Sequence, residues 1–256
     1  MGISTTTTRS TAALAATAAL VLTPISVRAV QGLTGPPGGR AINGDAGKDH
    51  LVGTNGGDRI RARAGKDTVV ARGGRDDVNG GGGPDRLLGG GGGDRVMTGA
   101  GDDAGDGGGG RDEVIGQNGD DVLSGAAGQD HVSGGAGSAD VTGGSGRDEM
   151  DGGDGNDAID AGPGDDQVTG DAGNDLIHPG PGADLVYAEE GDGNRVVTTD
   201  DGARDDIWCV RKEMIGSTAG VLTYLGRRDP ADIVHGCVVE VRRAAYGPWP
   251  SLANPG

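Results

Sequence analysis

Aspartate recurs in phase through the middle of the chain, at positions separated by multiples of nine residues. The fifteen positions are Asp49, Asp58, Asp67, Asp76, Asp85, Asp94, Asp103, Asp112, Asp121, Asp130, Asp148, Asp157, Asp166, Asp175 and Asp184. Carboxylate oxygens are the ligands that hard divalent cations such as Ca²⁺ prefer. No His or Cys recurs with the same period, which argues against zinc or copper. The spacing therefore predicts a row of ligands for a hard cation.

Two further columns share this period. When the chain is cut every nine residues from Gly44, 16 units end at Tyr187 without an insertion, and the fourth position is Gly in all 16. The sixth position is Asp except at Ala139, and the eighth is apolar except at Gly105. Composition sets how often a residue occurs but not its phase, so the three columns indicate a structural repeat rather than a disordered Gly-rich segment.

The residues that recur predict the shape of each unit. Gly allows the positive φ angles of a tight turn, and one apolar residue between variable ones is typical of a three-residue strand with its middle side chain pointing inward. A single unit cannot bury that side chain, so units must stack. We therefore expect an all-β protein, a parallel β-roll (β-solenoid) of about eight two-unit turns, with eight strands in each of two sheets.

The units resemble the RTX, or haemolysin-type, calcium-binding repeat G-G-x-G-x-D-x-U-x, in which U is a large apolar residue. Residues 152–160, Gly-Gly-Asp-Gly-Asn-Asp-Ala-Ile-Asp, match it at every fixed position. The resemblance covers 144 of the 256 residues. It implies that each Ca²⁺ lies between successive turns on one edge of the roll, bound by an Asp carboxylate and backbone carbonyls of the turns.

Electrostatics independently favours several calcium ions. Alternate units fall on the same edge, so each edge carries a column of carboxylates about one strand spacing apart, and these repel one another. A dication with six to eight oxygen ligands relieves the repulsion, which suits Ca²⁺ better than octahedral Mg²⁺. Eight turns per edge leave seven gaps, so 14 sites is the ceiling.

The fifth position suggests that the gaps differ in affinity. It is cationic at Lys48, Lys66, Arg75, Arg111 and Arg147. It keeps the Asn or Asp of the repeat family at Asp102, Asp120, Asn156, Asp165 and Asn174. We expect weaker sites in the N-terminal half, where an Asp has the alternative of capping its own turn. Ala139 should weaken two gaps unless Asp140 takes its place.

The regions outside the repeats predict export. Residues 1–29 contain no acidic residue, the apolar stretch Thr11 to Leu22 is too short to cross a bilayer, and a small-x-Ala pattern ends at Ala29. We assign 1–29 to a signal peptide cleaved after Ala29, 30–43 to a linker, 44–187 to the roll and 188–256 to a degenerate repeat and small β cap. The mature chain is then secreted, without a transmembrane span.

The C-terminal region contains both cysteines, Cys209 and Cys237. In an exported chain we expect them to form one disulfide, the alternative being two buried thiols. The region also resembles the C-terminal cap of actinobacterial proteins with this repeat, in which a Cys follows the last strand and a second Cys precedes an acidic residue. Here Val238 and Val239 intervene before Glu240.

The function class follows from what the chain offers. A net charge of −17 disfavours nucleic acid and favours cations as partners. Neither H-E-x-x-H nor G-x-S-x-G occurs, so we do not expect an enzyme. The first hypothesis is an extracellular calcium-binding protein whose roll folds on binding Ca²⁺. The alternative is a structural or adhesive protein with cell-surface partners, in which calcium is only a fold requirement.

Overall fold

The fold is described from a computed structural model over residues 39–189, 193–198, 201–209, 221–225 and 230–242. Within these residues the regular structure is entirely β-strand. The strands are β1 (Ala41–Asn43), β2 (His50–Val52), β3 (Arg59–Ala64), β4 (Thr68–Gly73), β5 (Asp77–Gly82), β6 (Arg86–Gly91), β7 (Arg95–Ala100), β8 (Ala104–Gly110), β9 (Glu113–Asn118), β10 (Val122–Gly128), β11 (His131–Ala136), β12 (Asp140–Ser145), β13 (Glu149–Asp154), β14 (Ala158–Asp160), β15 (Gln167–Ala172), β16 (Leu176–His178), β17 (Leu185–Tyr187), β18 (Arg195–Thr198), β19 (Asp206–Trp208), β20 (Val221–Leu225), β21 (Ile233–His235) and β22 (Val238–Arg242).

The strands form two parallel sheets. Sheet A contains the odd-numbered strands and sheet B the even-numbered strands, each in sequence order and each with 11 members. Neighbouring strands pair in register at a spacing of two units, as Ile42 does with Ile60. The chain therefore alternates between the sheets, one coil of the roll takes 18 residues as in the pairing of Val69 with Leu87, and the predicted β-roll is confirmed.

The core lies between the two sheets. The inward residues of the eighth position are at most 2% exposed. They are Leu51, Ile60, Val69, Val78, Leu87, Val96, Val114, Leu123, Val132, Val141, Met150, Ile159, Val168, Ile177 and Val186. At the exception, Gly105, a Cβ atom would lie 2.8 Å from the methyl carbon of Thr98. The buried Thr98 thus occupies the space that the missing side chain leaves.

The turns explain the invariant glycine of the fourth position. Gly146 has a φ of 137°, in the region that favours glycine, and a Cβ there would lie 1.4 Å from the carbonyl oxygen of Gly128 in the preceding coil. Strands β3 to β13 have six or seven residues rather than three, because the first residues of the next turn continue the pairing, as Arg63 does with Gly81. The turns are therefore packed directly on one another.

The roll extends beyond the 16 repeats at both ends. Residues Ala41–Asn43, placed in the linker from the sequence, form β1, and Ile42 is buried nine residues before Leu51. Arg40 stands at the sixth position of this unit, where the other units have Asp. The unit was therefore not recognised from the spacing of the aspartates. The signal peptide 1–29, with its cleavage site at Ala29, and the linker up to residue 38 lie outside the described residues.

At the C-terminal end, the strands expected to form a cap join the same two sheets. β17 pairs with β19 and β19 with β21, while β18 pairs with β20 and β20 with β22. Each sheet therefore has eleven strands rather than eight. The spacing between coils lengthens, because Asp184 is followed by Asp205 after 21 residues and by Asp232 after a further 27.

The predicted disulfide is confirmed. Cys209 directly follows β19, Cys237 lies between β21 and β22, and the two are bonded with their Cα atoms 5.0 Å apart. Cys209 is buried in the core, and its N–H donates to the carbonyl of His235 at 3.0 Å. The bond therefore ties two successive coils of sheet A together. No helix able to cross a membrane occurs in the described part of the chain.

Replacing both cysteines by alanine should destabilise the C-terminal coils. A bridge that closes a loop of this size stabilises the folded state by about 2 to 4 kcal/mol. We expect the calcium-loaded Cys209→Ala/Cys237→Ala protein to unfold at lower guanidinium concentration, and reduced wild-type protein to behave in the same way. Equal midpoints for oxidised and reduced protein would contradict this role, as would two alkylatable thiols in the non-reduced protein.

Candidate metal centre

The aspartates of the sixth position form two ladders along the edges of the roll. From Asp58 onwards, each Oδ1 accepts a hydrogen bond from the backbone N–H of the corresponding residue one coil earlier, as Asp175 does from Asp157 at 3.1 Å and Asp166 from Asp148 at 2.8 Å. The same bond recurs along both edges. All fifteen carboxylates are buried, with at most 5% exposure. The side chains that define the period therefore hold neighbouring coils together.

The second oxygen of most of these carboxylates is buried without a hydrogen-bond partner. This holds for Oδ2 of Asp67, Asp76, Asp85, Asp94, Asp103, Asp112, Asp121, Asp130, Asp148, Asp157, Asp166, Asp175 and Asp184. A buried polar atom without a partner is costly, and a buried carboxylate oxygen is more so. Thirteen in two regular columns indicate that the fold leaves these oxygens for a ligand.

The surroundings of these oxygens fit a hard cation. A Cβ on Gly80 would lie 2.6 Å from Oδ2 of Asp85 and 2.4 Å from the carbonyl oxygen of Thr98, so the two oxygens border the same small space. The same pairing occurs at Gly152, beside Oδ2 of Asp157 and the carbonyl of Gly170. Nowhere in the described residues do three or more Asp, Glu, His or Cys side chains converge. An ion would therefore take one carboxylate and several backbone carbonyls, which suits Ca²⁺.

Burial raises the pKa of these carboxyl groups. The pKa of Asp184 is raised to about 8, chiefly because burial desolvates the carboxylate and also because the carboxylates of Asp205 and Asp166 lie nearby. Desolvation likewise raises the pKa of Asp166 and Asp175 to about 7 each. The hydrogen bond to Oδ1 lowers the pKa in all three but does not offset the burial. Ionising these groups at neutral pH is therefore costly in the metal-free roll, unless a cation compensates the buried charge.

The first two aspartates differ from the rest. Oδ2 of Asp49 accepts from the N–H of Asp45 at 2.7 Å, and Oδ2 of Asp58 accepts from the N–H of Thr54 at 2.6 Å. The hydroxyl of Thr54 donates to the same oxygen at 3.0 Å. Both carboxylates therefore cap their own turns. This is the alternative to calcium binding that was left open from the sequence for the N-terminal half. Their oxygens are already satisfied, unlike those from Asp67 onwards.

Ala139 interrupts one ladder. Ala139 still donates its N–H to Oδ1 of Asp157 at 2.8 Å, but it offers no carboxylate to Asp121. Asp140 does not replace it, since it begins β12 in the outward row, in register with Val122 and Ala158. The gap between the turns of Ala139 and Asp157 therefore lacks a side-chain oxygen, since a Cβ on Gly134 would meet the Cβ of Ala139 at 2.9 Å where the other turns offer a carboxylate.

The fifth position forms a second, outer ladder, in which the side chain accepts from the N–H one coil later. Asp120 donates its N–H to Asp102 at 3.1 Å, and Asn174 donates to Asn156 at 2.9 Å. Ser138 donates to Asp120 and Ala183 to Asp165 in the same way. The cationic residues Lys48, Lys66, Arg75, Arg111 and Arg147 are exposed at this position. The outer ladder is thus confined to the turns from Asp102 onwards.

Three residues that continue the sixth-position ladders fall outside the strict period, so the sequence register missed them. Asn194 accepts from the N–H of Asp175 at 2.7 Å, and Asp205 accepts from Asp184 at 3.0 Å. Asp232 then accepts from Asp205 at 3.0 Å. In each case an apolar residue follows two positions later: Val196, Ile207 or Val234. The sixth and eighth positions of the regular repeats have this same spacing. A search for that pair, without a fixed repeat length, could have found them.

The outward residues of the seventh position pair across strands. Arg59 contacts Asp77 at 3.0 Å, Arg95 contacts Glu113 at 2.8 Å and His131 lies 3.8 Å from Glu149. These pairs are solvent-exposed, and such pairs contribute at most about 1 kcal/mol each. They support register and are not part of the metal centre.

A family model for the RTX calcium-binding nonapeptide repeat matches the chain over residues 43–78, 71–104, 106–139, 142–177 and 160–193. Together these segments span more than half of the chain and include all fifteen aspartates of the period. No curated protein shows significant similarity to the chain. The match identifies Ca²⁺ as the ligand of the repeats.

Replacing Asp166 by asparagine should remove calcium sites without disturbing the ladder. Asn194 already fills a ladder position through its Oδ1, so an amide is compatible with the turn. Asp166→Asn replaces the unpartnered oxygen with an amide nitrogen, which cannot bind a cation. We expect isothermal titration to find at least one Ca²⁺ fewer per chain, or a half-saturating concentration at least fivefold higher.

The matched control is Asp154→Asn, which removes the same charge from an exposed side chain and should leave the stoichiometry unchanged. Wild-type stoichiometry and affinity in Asp166→Asn would contradict the assignment of these oxygens as ligands.

The raised pKa values predict that a fall in pH stabilises the metal-free roll but weakens folding by calcium. Between the ordinary carboxyl pKa and about 7 or 8, groups such as Asp166 and Asp184 hold protons in the metal-free roll that the unfolded chain has lost. The metal-free roll therefore loses stability as pH rises through this range. Calcium must displace those protons, so the calcium needed for folding rises as pH falls. Circular dichroism in calcium-free buffer should show more β-structure at pH 5 than at pH 8, and the opposite order would contradict the burial of these groups.

Proposed function

Because the chain belongs to the RTX calcium-binding nonapeptide repeat family, we propose that it is an extracellular protein whose roll folds when it binds Ca²⁺. The observation that carries the proposal is the double column of buried Oδ2 atoms without partners. Of the fifteen aspartates of the period, Asp49 and Asp58 satisfy their own oxygens, and the others supply the carboxylates beside carbonyl oxygens of the turns. The thirteen from Asp67 onwards have an oxygen available, so several ions bind per chain.

The coupling of folding to calcium is supported by the balance of forces in the roll. Without the ion, folding buries carboxylates that repel one another and whose pKa values rise. One inward aliphatic side chain per nine residues gives little compensation for the backbone entropy of so many glycines, at about 1 to 2 kcal/mol per ordered residue. Since the ligands are brought together only in the folded roll, calcium-binding free energy becomes folding free energy.

An order within the transition is supported by differences between the two halves. The C-terminal coils have the outer ladder and the disulfide of Cys209 with Cys237. The N-terminal turns have exposed cations at the fifth position, and Asp49 and Asp58 cap themselves. We therefore propose that folding starts at the C-terminal coils and proceeds toward β1.

An extracellular location is supported by the disulfide, since such bonds form and persist in oxidising compartments. The same location supplies millimolar calcium, whereas a calcium-poor cytoplasm would leave the chain unfolded for translocation. Cleavage after Ala29 of the proposed signal peptide 1–29 would leave the Gly- and Pro-rich segment before β1 at the new N-terminus.

We propose a binding protein rather than an enzyme, because the matched repeat is a calcium-binding structural unit. The alternative, a cell-surface structural or adhesive protein that uses calcium only as a fold requirement, shares the same metal centre and differs in having a cell-surface partner. A pull-down on intact cells with and without chelator separates the two, because only the alternative predicts retention on the cells.

Calcium removal should unfold the roll. We expect the mature protein to lack the β-sheet circular dichroism signal in excess chelator at pH 7.5 and to gain it cooperatively as calcium rises to millimolar concentration, with more than two ions bound by isothermal titration. Magnesium at the same concentration serves as the control and should not restore the signal, since it demands octahedral geometry.

The same β-signal in chelator as in calcium would overturn the coupling, and fewer than two bound ions would overturn the calcium function. Hydrogen exchange during the titration tests the order. Protection of residues 152–187 should precede protection of residues 44–78, and the reverse would contradict a C-terminal start.

A further inference from the structure

Lys and Arg are concentrated at the N-terminal end of the roll, although Arg195 and Arg204 are also exposed near its C-terminal end. Residues 39–111 contain eleven Lys and Arg, whereas residues 112–189 contain only Arg147. The eleven are Arg40, Lys48, Arg59, Arg61, Arg63, Lys66, Arg72, Arg75, Arg86, Arg95 and Arg111. The ladder aspartates of the same coils, from Asp49 to Asp94, are buried beneath them. The solvent therefore meets a basic surface at the N-terminal end, although the protein as a whole is strongly acidic.

Strand β3 concentrates this charge on the outer face of sheet A. Along β3 the burial alternates so that Arg59, Arg61 and Arg63 are all exposed on the same side. Successive outward residues of a strand are about 6.6 Å apart, so the three guanidinium groups form a row. Lys66 follows in the turn that leaves β3, and Lys48 occupies the same position one coil earlier. We refer to these five residues as the β3 cationic row.

Most of the β3 cationic row lacks an acidic partner. Arg59 contacts Asp77, but Arg61 lies in register between Asn43 and Asn79, and Arg63 lies beside Gly81. Neither arginine makes an ion pair within the described part of the chain, and the two lysines make none there either. Unpaired cations in a row on a flat sheet present a multivalent surface for anions.

Arg63 also occupies a position that its backbone disfavours. It has a φ of 86°, and its in-register neighbour one coil later is Gly81, with a φ of 106°. The second position of the repeat is usually glycine, for which positive φ carries no penalty, whereas a non-glycine residue there is strained. The same strain occurs at Arg72, Gln117, Ala126 and Asp171, so it does not by itself indicate a function. What distinguishes Arg63 is that it is exposed beside Arg59 and Arg61 and has no acidic partner of its own among the described residues.

We propose that the β3 cationic row binds a linear acidic polysaccharide, through the sulfate or carboxylate groups of successive sugars. An extended chain can follow the row along β3 and into the adjoining turns, and each guanidinium can make paired hydrogen bonds to a sulfate or carboxylate. Several weak contacts along one chain add up through multivalency. The proposal rests on the proposed function only for the extracellular location, since acidic polysaccharides of this kind are found outside cells.

Nucleic acid fits this surface less well. Single strands are held by base stacking on aromatic side chains, and no aromatic residue precedes Tyr187 in the chain. Duplex DNA is read by an element that enters a groove, whereas the row lies on the flat outer face of a sheet. A polymer recognised by its charge spacing, without stacking, is therefore the better match.

The test compares a variant of the row with a control on the other sheet. Arg63→Gly, combined with Arg61→Ala, removes the unpaired arginines of the row and gives the second position its usual residue. Arg72→Gly is the control for the Arg63→Gly change, since Arg72 stands at the same repeat position with a φ of 85°, but on β4 of sheet B. Both Arg→Gly changes relieve backbone strain and Arg61 is exposed, so neither variant should lower the unfolding midpoint of the calcium-loaded protein.

Binding of the calcium-loaded full chain to dextran sulfate, hyaluronate, neutral dextran and DNA is measured at several salt concentrations. We expect wild-type protein to bind at least one of the two acidic polysaccharides and not dextran. Arg61→Ala/Arg63→Gly should lose at least tenfold in affinity, with a salt slope lower by about two. Arg72→Gly should change affinity less than twofold. The dextran sulfate and hyaluronate arms distinguish sulfate from carboxylate as the recognised group.

Wild-type affinity in the double variant, an equal loss in Arg72→Gly, or binding to DNA as tight as to the polysaccharides would each overturn the proposal. Calcium stoichiometry is measured on the same samples, so a protein that binds polysaccharide but few ions contradicts the proposed function and not this surface. If the double variant takes up less calcium than wild type, Arg61→Gln, at an ordinary strand position, carries the same comparison.

Discussion

The structure depends on one repeated hydrogen bond, from the backbone N–H of one coil to Oδ1 of the aspartate in the next. The bond of Asp166 with Asp148 is typical, at 2.8 Å, and it adds to backbone hydrogen bonds between the same coils, such as the one from the N–H of Gln167 to the carbonyl of Asp148 at 2.8 Å. Because a carboxylate has two oxygens and the ladder uses one, the same bond leaves Oδ2 buried. Stacking the coils therefore creates the metal centre, and the metal centre in turn determines whether stacking is favourable.

This constraint explains why a protein with no Phe and 57 Gly can be regular over so many residues. The core supplies only one row of aliphatic side chains per sheet, and the turns must pack so closely that Gly146 has no room for a Cβ. The charge that would oppose such packing is the charge that calcium neutralises.

The regular part of the fold could be predicted from the sequence because side-chain type and position repeat together. The period predicts the coil length, the inward column and the aspartate ladder, and the paired cysteines were identified correctly. The ends were missed, since β1 has Arg40 where Asp is expected and the last coils are longer than 18 residues. That Asp49 and Asp58 satisfy their own oxygens depends on local turn hydrogen bonds, which no column of residue types reveals. The burial of Thr98 in the core was likewise not predicted, because Thr98 fills the space left by the side chain that Gly105 lacks.

The central claim is that the unpartnered Oδ2 atoms are calcium ligands, and the most direct measurement is anomalous X-ray scattering from crystals of the calcium-loaded protein. The account predicts anomalous peaks between successive turns on both edges from Asp67 to Asp184, except in the gap that follows Ala139, each about 2.3 to 2.6 Å from an Oδ2 atom. It predicts no side-chain contact to an ion from Asp49 or Asp58. Peaks confined to exposed carboxylates, or turns that stack without any ion between them, would contradict it.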